Sequence, residues 1–92
     1  MMTQATYRRA KPLAWRDVGG HVVAIHSARG QVSELNGTAS EIWRHLEHGA
    51  TAESLALKLS ERFAVEQSEA FLDVTQLLAE LETLGLVSGD GP

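Results

Sequence analysis

The side chains that could do chemistry in this chain are few, and their spacing decides what they can do. There are four histidines, twelve carboxylates and eight basic side chains, and there is no cysteine. His45 and His48 stand three residues apart, where two imidazoles on one helix face can share a metal ion. Only Glu41, Glu47 or a distant histidine could complete that set, so the pair reads as a solvated helix face. His21 and His26 end one apolar run and are expected to turn their polar edges to water. Glu80 and Glu82 have the look of an acid–base pair, but helix residues two apart point to different faces. Glu66 and Glu69 read as charges favoured near a helix N-terminus. No glycine-rich phosphate loop, G-x-S-x-G or H-E-x-x-H arrangement occurs. The expectation is therefore a protein that is not an enzyme, with no catalytic residue, cofactor or metal.

Composition narrows the partners. The 92 residues carry a formal charge of −4, whereas binding a phosphate backbone rests on accumulated Lys and Arg. Arg8, Arg9 and Lys11 cluster near the start and read as part of a solvated tail. No run is long and apolar enough for a signal peptide or a membrane helix. With no cysteine to support disulfides, the expected setting is soluble and cytoplasmic, without nucleic acid or membrane.

The elements that must position any site divide into two halves. The front half reads as a β-meander. "LAWRDV" (13–18) meets "HVVAIH" (21–26) across Gly19-Gly20, and "HVVAIH" meets "QVSEL" (31–35) across a four-residue loop closed by Gly30. The buried face of each strand stays open, because "VVAI" is apolar at both parities. The back half is helical. Thr38 is the expected N-cap of the first helix, with Glu41 at capping-box spacing. Ala39, Ile42, Trp43 and Leu46 recur at helical spacing, Trp43 as a core anchor, and Gly49 ends the run. Thr51 caps a second helix with Leu55, Leu59 and Phe63 as its stripe. A third helix runs from Gln67 or Ser68 to Leu84, with Gly85 as its stop. "LVS" (86–88) is a candidate closing strand. Residues 1–12 and 88–92 read as flexible segments flanking one domain over 13–87.

Helix three holds more apolar residues than one face needs. Phe71, Val74, Leu77, Leu78, Leu81 and Leu84 spread over about 140°. Beside them Asp73, Leu77, Glu80 and Leu84 form a mixed apolar and acidic flank. With "HVVAIH" central, "QVSEL" is an edge strand. Its unpaired backbone can take up an extended peptide as an added strand. A binding module is thus the expected class.

The run "LNGTASEIW" (35–43), then Gly49 and Thr51, "ESLALKLSERFAV" (53–65) and "DVTQLLAELETLGLV" (73–87) resembles the PqqD-like proteins. The likeness covers about three quarters of the chain, and it lies in the order and spacing of the pieces. It implies an α+β, winged-helix-like fold: a three-stranded antiparallel meander followed by three helices. It also implies a RiPP recognition element. Such a domain is a peptide chaperone that holds the leader segment of a ribosomally made precursor for a modifying enzyme, either a radical SAM enzyme or a peptidase. The leader joins the third strand and leans on the third helix. Carried over by position, the contacts are Val32, Ser33, Glu34 and Leu35, with Asp73, Leu77, Glu80 and Leu84. Leu35 is also placed to join the core. Ser33 stands where many relatives carry an aromatic residue, which implies a shallower or differently selective pocket. Glu34, Asp73 and Glu80 favour a partner with Lys or Arg. The pathway, pyrroloquinoline quinone or lasso peptide, stays open. Two competing readings remain. One is a winged-helix DNA-binding regulator, which the lack of Lys and Arg in helix three opposes. The other is a homodimer formed through the same edge strand.

Overall fold

The structure, a computed structural model, describes residues 5–10, 14–26 and 30–90. In chain order it runs β1 (Thr6–Arg9), β2 (Ala14–Val18), β3 (His21–His26), β4 (Gln31–Glu34) and α1 (Gly37–His45). It continues with β5 (Ala50–Thr51), α2 (Ala52–Phe63), α3 (Gln67–Thr83) and β6 (Val87–Asp90). The expected meander forms: β2, β3 and β4 make one antiparallel sheet with β3 in the middle. Gly19 and Gly20 hold φ of 61° and 88°, the left-handed pair that a two-residue primed turn needs to match strand twist. Residues 27–29 of the second loop lie outside the described residues.

A second antiparallel sheet, ordered β5-β1-β6, places a strand within each segment read as flexible; residues 1–4, 11, 12, 91 and 92 of those segments lie outside the described residues. Thr6–Arg9 is its central strand and Val87–Asp90 an edge. The strand suspected at "LVS" therefore exists and reaches further than expected. Arg8 and Arg9 are no solvated tail. The Arg9 guanidinium donates to the Trp43 carbonyl from Nε (3.1 Å) and Nη2 (2.6 Å), and to that of Arg44 (3.3 Å). These are carbonyls of the last turn of α1, which a cation suits. The same guanidinium lies 4.8 Å from the Trp15 ring centroid and 5.1 Å from that of Trp43. The two indoles meet edge to face at 6.2 Å. Burial lowers the Arg9 pKa, and Glu47 pulls it back up.

The helix ends follow local chemistry, with one correction. The N-cap of α1 is Asn36, not Thr38: its Oδ1 accepts from the Ala39 amide at 2.8 Å. Asn heads the N-cap preference and Thr trails it, and here the carboxamide begins the helix two residues earlier. That leaves Thr38 in the first turn and Glu41 free for ion pairing with Arg44, His45 and Arg62. Thr51 caps α2 as expected, accepting from Ser54 at 3.1 Å. At the end of α3, Gly85 adopts φ 76°. Its amide donates to the Glu82 carbonyl and that of Leu86 donates to Leu81, both at 2.9 Å. That is a Schellman closure with Leu81 and Leu86 both buried, the apolar contact such a cap brings together.

The core gathers Val22 and Ala24 from β3, Leu35, and Ile42, Trp43 and Leu46 from α1 or its end. Leu55 and Leu59 from α2, Val74, Leu78 and Leu81 from α3, and Leu86 complete it. Phe63 and Phe71, expected in the apolar stripes, are exposed instead. Ser40 is fully buried among these residues. Its hydroxyl accepts from the Val22 amide (2.9 Å) and donates to the Leu35 carbonyl (3.1 Å), joining α1 to the sheet.

Candidate functional site

β4 pairs with β3 on one side and has no strand on the other among the described residues. The register sets Glu34 opposite Val23, Ser33 opposite Ala24, Val32 opposite Ile25 and Gln31 opposite His26. The Leu35 amide donates to the Val22 carbonyl at 2.8 Å. In an antiparallel ladder, hydrogen-bonded pairs alternate with pairs whose backbone groups point away. Counting back from Leu35, Ser33 and Gln31 aim their amides and carbonyls at β3. Val32 and Glu34 aim theirs outward. The open edge is therefore two residues wide in donors and acceptors.

The side chains alternate as well. Leu35, Ser33 and Gln31 share a face with Val22 and Ala24, which are buried, and with Trp15 and Asp17 on β2. Asp17 accepts from Arg44 of α1 at 2.6 Å, so this face looks toward the helices. Val32 and Glu34 lie on the other face, and Val32 is 66% exposed.

The four expected contacts on the strand thus fall apart into separate roles. Val32 and Glu34 are accessible in both side chain and main chain. Ser33 is half-buried and its amide serves the sheet. Leu35 is core, 5% exposed, and its carbonyl is taken up by Ser40 and by the His21 ring (3.2 Å). A strand end that enters the core cannot also be an open edge, which corrects the reading of Leu35 as a contact. His26 does not turn its ring wholly to water either, since Nδ1 is buried without a hydrogen-bond partner among the described residues.

On α3, Asp73, Leu77, Glu80 and Leu84 fall within about 60° at 100° per residue, beside the buried stripe of Ala70, Val74, Leu78 and Leu81. Asp73, Leu77 and Glu80 line one hollow of about 250 Å³ with Gln76 and Thr38. Thr38 stands three residues beyond Leu35, so this flank opens where β4 gives way to α1. Leu84 does not line the hollow. It is half-buried, packed on the core with Leu77.

Among the described residues, some charges are neutralised within the fold and others are not. Arg44 is paired with Asp17 and Glu41, Arg62 with Glu41, and Arg9 is bound to carbonyls. No ion pair is made by Glu34, Glu69, Asp73 or Glu80 among the described residues. α3 holds no Lys or Arg. No three His, Asp or Glu residues of the described set come together as metal ligands. No helix of that set is long and apolar enough to cross a membrane.

The family model described as Coenzyme PQQ synthesis protein D (PqqD) matches residues 21–87. The chain belongs to the PqqD family. No curated protein matches it. Among solved structures it is similar to TbiB1 in complex with the TbiA(beta) leader peptide: TM-score 0.84, 21% identity, 92% of this chain and 99% of that one. It is also similar to a lasso peptide synthetase B1 complexed with the leader peptide: TM-score 0.80, 23% identity, 89% of this chain and 96% of that one. At these identities the likeness is one of fold, an α+β fold with antiparallel strands and three helices.

The edge strand and the α3 flank are legible in the sequence; β1, the Arg9 brace and the Ser40 bridge are not. A serine between the core positions Ala39 and Ile42 is the one local signal that pointed to the last of these.

Proposed function

We propose that this PqqD-family chain is a non-catalytic peptide chaperone. It binds the leader segment of a ribosomally synthesised precursor by strand addition to β4 and presents it to a modifying or processing enzyme in the cytoplasm. The observation that carries the reading is the β4 edge, which has no strand partner among the described residues and turns the main chains of Val32 and Glu34 outward, while the acidic flank of α3 meets Thr38 four residues past Glu34. Extended peptides bind such edges through main-chain bonds and are selected by neighbouring side chains. The two similar structures were each captured with a leader peptide, which supports the same class of ligand. The partner enzyme is a radical SAM enzyme or a peptidase, each of which acts on a precursor it must first be given. Asp73, Leu77 and Glu80 meet the leader from the helix side, and carboxylates without an ion pair among the described residues favour one carrying Lys or Arg.

The test is titration of the 92-residue chain with the leader of a short precursor encoded beside its gene, followed by amide shifts. Shifts gathered on β4 and α3 are expected. Charge reversal at Glu34 and Glu80 should weaken binding of a basic leader about tenfold, since two charged contacts become repulsive. Saturating leader that leaves β4 unshifted rules the reading out. Sedimentation at the same concentrations separates peptide capture from pairing of two β4 edges, which would make the free chain a dimer that leader dissociates.

A further inference from the structure

The sheet face turned away from the helices extends the proposed site to the ligand's own sequence. On that face the register sets the side chains in rows across β2, β3 and β4. One row is Arg16, Val23 and Glu34, and the next is Ala14, Ile25 and Val32. Any strand added beyond β4 continues both rows. Cross-strand neighbours on one face lie about 5 Å apart and are the unit that stabilises a sheet. Arg16 is two strands from Glu34, about 10 Å away at usual strand spacing, with Val23 between them. Glu34 makes no ion pair among the described residues. The next row ends on Val32, 66% exposed, with Ile25 beside it 39% exposed.

We infer that the peptide taken up by this edge carries Lys or Arg beside Glu34 and a large apolar residue beside Val32, two positions apart. This inference rests on the strand-addition reading and goes beyond it, because it fixes the spacing and order of a basic and an apolar residue in the ligand and adds Val32 as the second determinant. The outward main-chain groups of Val32 and Glu34 fix the spacing, since they are the groups the ligand must bond and they recur every second residue. The order of the pair reports strand direction: basic-x-apolar for an antiparallel ligand, apolar-x-basic for a parallel one.

The experiment uses the whole chain, immobilised, to select from a displayed library of random linear peptides. Synthetic versions of the best binders are then measured with amide shifts as the map. Enrichment of the basic and apolar pair at a spacing of two is expected. Exchanging the Lys for Glu should weaken binding about fivefold, as an attractive cross-strand pair becomes a repulsive one. The variant Glu34→Lys should invert that preference, and its spectrum away from β4 should match the parent, because Glu34 is exposed. Peptides that shift the Val32 and Glu34 amides yet show no such pair overturn the inference while leaving strand addition intact. So does a Glu34→Lys variant with unchanged preference. If no selected peptide shifts those amides, strand addition itself fails and the inference falls with it.

Discussion

Proline in β4 gives a test in which neighbouring positions should behave in opposite ways. Proline removes one backbone donor and holds φ near −65°, which an edge strand tolerates where that donor faces solvent. At Val32 the donor faces outward, by the alternation anchored on the Leu35 amide and the Val22 carbonyl. Val32→Pro should therefore keep the fold, with stability changed by less than ~1 kcal/mol, and should lose one bond to the ligand. A net hydrogen bond is worth about 0.5–1.5 kcal/mol, so binding should weaken about two- to twelvefold. At Ser33 the donor faces β3. Ser33→Pro takes away a bond to the carbonyl of Ala24, a residue with no exposed surface. An unsatisfied buried carbonyl costs about 1–3 kcal/mol, and steric strain adds to that.

The assay pairs thermal unfolding with calorimetric titration of leader on each variant. Val32→Pro should melt near the parent and bind weakly, while Ser33→Pro should melt well below it. Glu34→Pro should follow Val32→Pro. A Ser33→Pro chain that stays folded but binds weakly would refute the parity, since the Ser33 amide would then face the ligand. A Val32→Pro chain that binds like the parent would refute strand addition at this edge.

Three further outcomes are expected. Ser40→Ala leaves the Val22 amide and the Leu35 carbonyl without their shared hydroxyl, so denaturant unfolding should report a loss of about 1–3 kcal/mol; an unchanged midpoint would deny the bridge its role. Arg9→Ala removes three hydrogen bonds to the end of α1 and a cation from both indoles, a loss of about 1–3 kcal/mol. Trp15 and Trp43 are the chain's two tryptophans, so the native emission maximum should shift as well. Ala64 ends α2 at φ 55° and ψ 43°. Left-handed backbone costs a non-glycine residue roughly 1–2 kcal/mol, partly offset by the greater freedom of unfolded glycine. Ala64→Gly should therefore raise the melting temperature, and a lower one would show that the cap is not strained.

The meander, the three helices and the edge were legible because each leaves a local mark: two glycines at the first turn, helical spacing of Ile42, Leu46, Leu55 and Leu59, a glycine after α3. β1 left none. "TYRR" has no apolar run, and its place depends on pairing with residues 87–90, more than seventy positions away. Asn36 is masked in the sequence by Thr38, which satisfies the same capping rule with a carboxylate at the expected spacing. The site was legible as a strand but not as an edge with parity. Four consecutive residues were expected to meet the ligand, whereas backbone direction alternates and Leu35 is drawn into the core by Ser40.

That narrowing changes what must supply the affinity. Val32 and Glu34 together offer two outward amides and two outward carbonyls. At about 0.5–1.5 kcal/mol each, four such bonds contribute roughly 2–6 kcal/mol. Micromolar binding needs about 8 kcal/mol net, after an association cost of at least 4 kcal/mol. The main chain of β4 therefore sets the register of a bound peptide without holding it. On the proposed strand-addition reading the rest comes from side chains, with Asp73, Leu77 and Glu80 and the rows ending at Val32 and Glu34 as the proposed contributors. A ligand contacting only one of these surfaces should bind far more weakly than one contacting both.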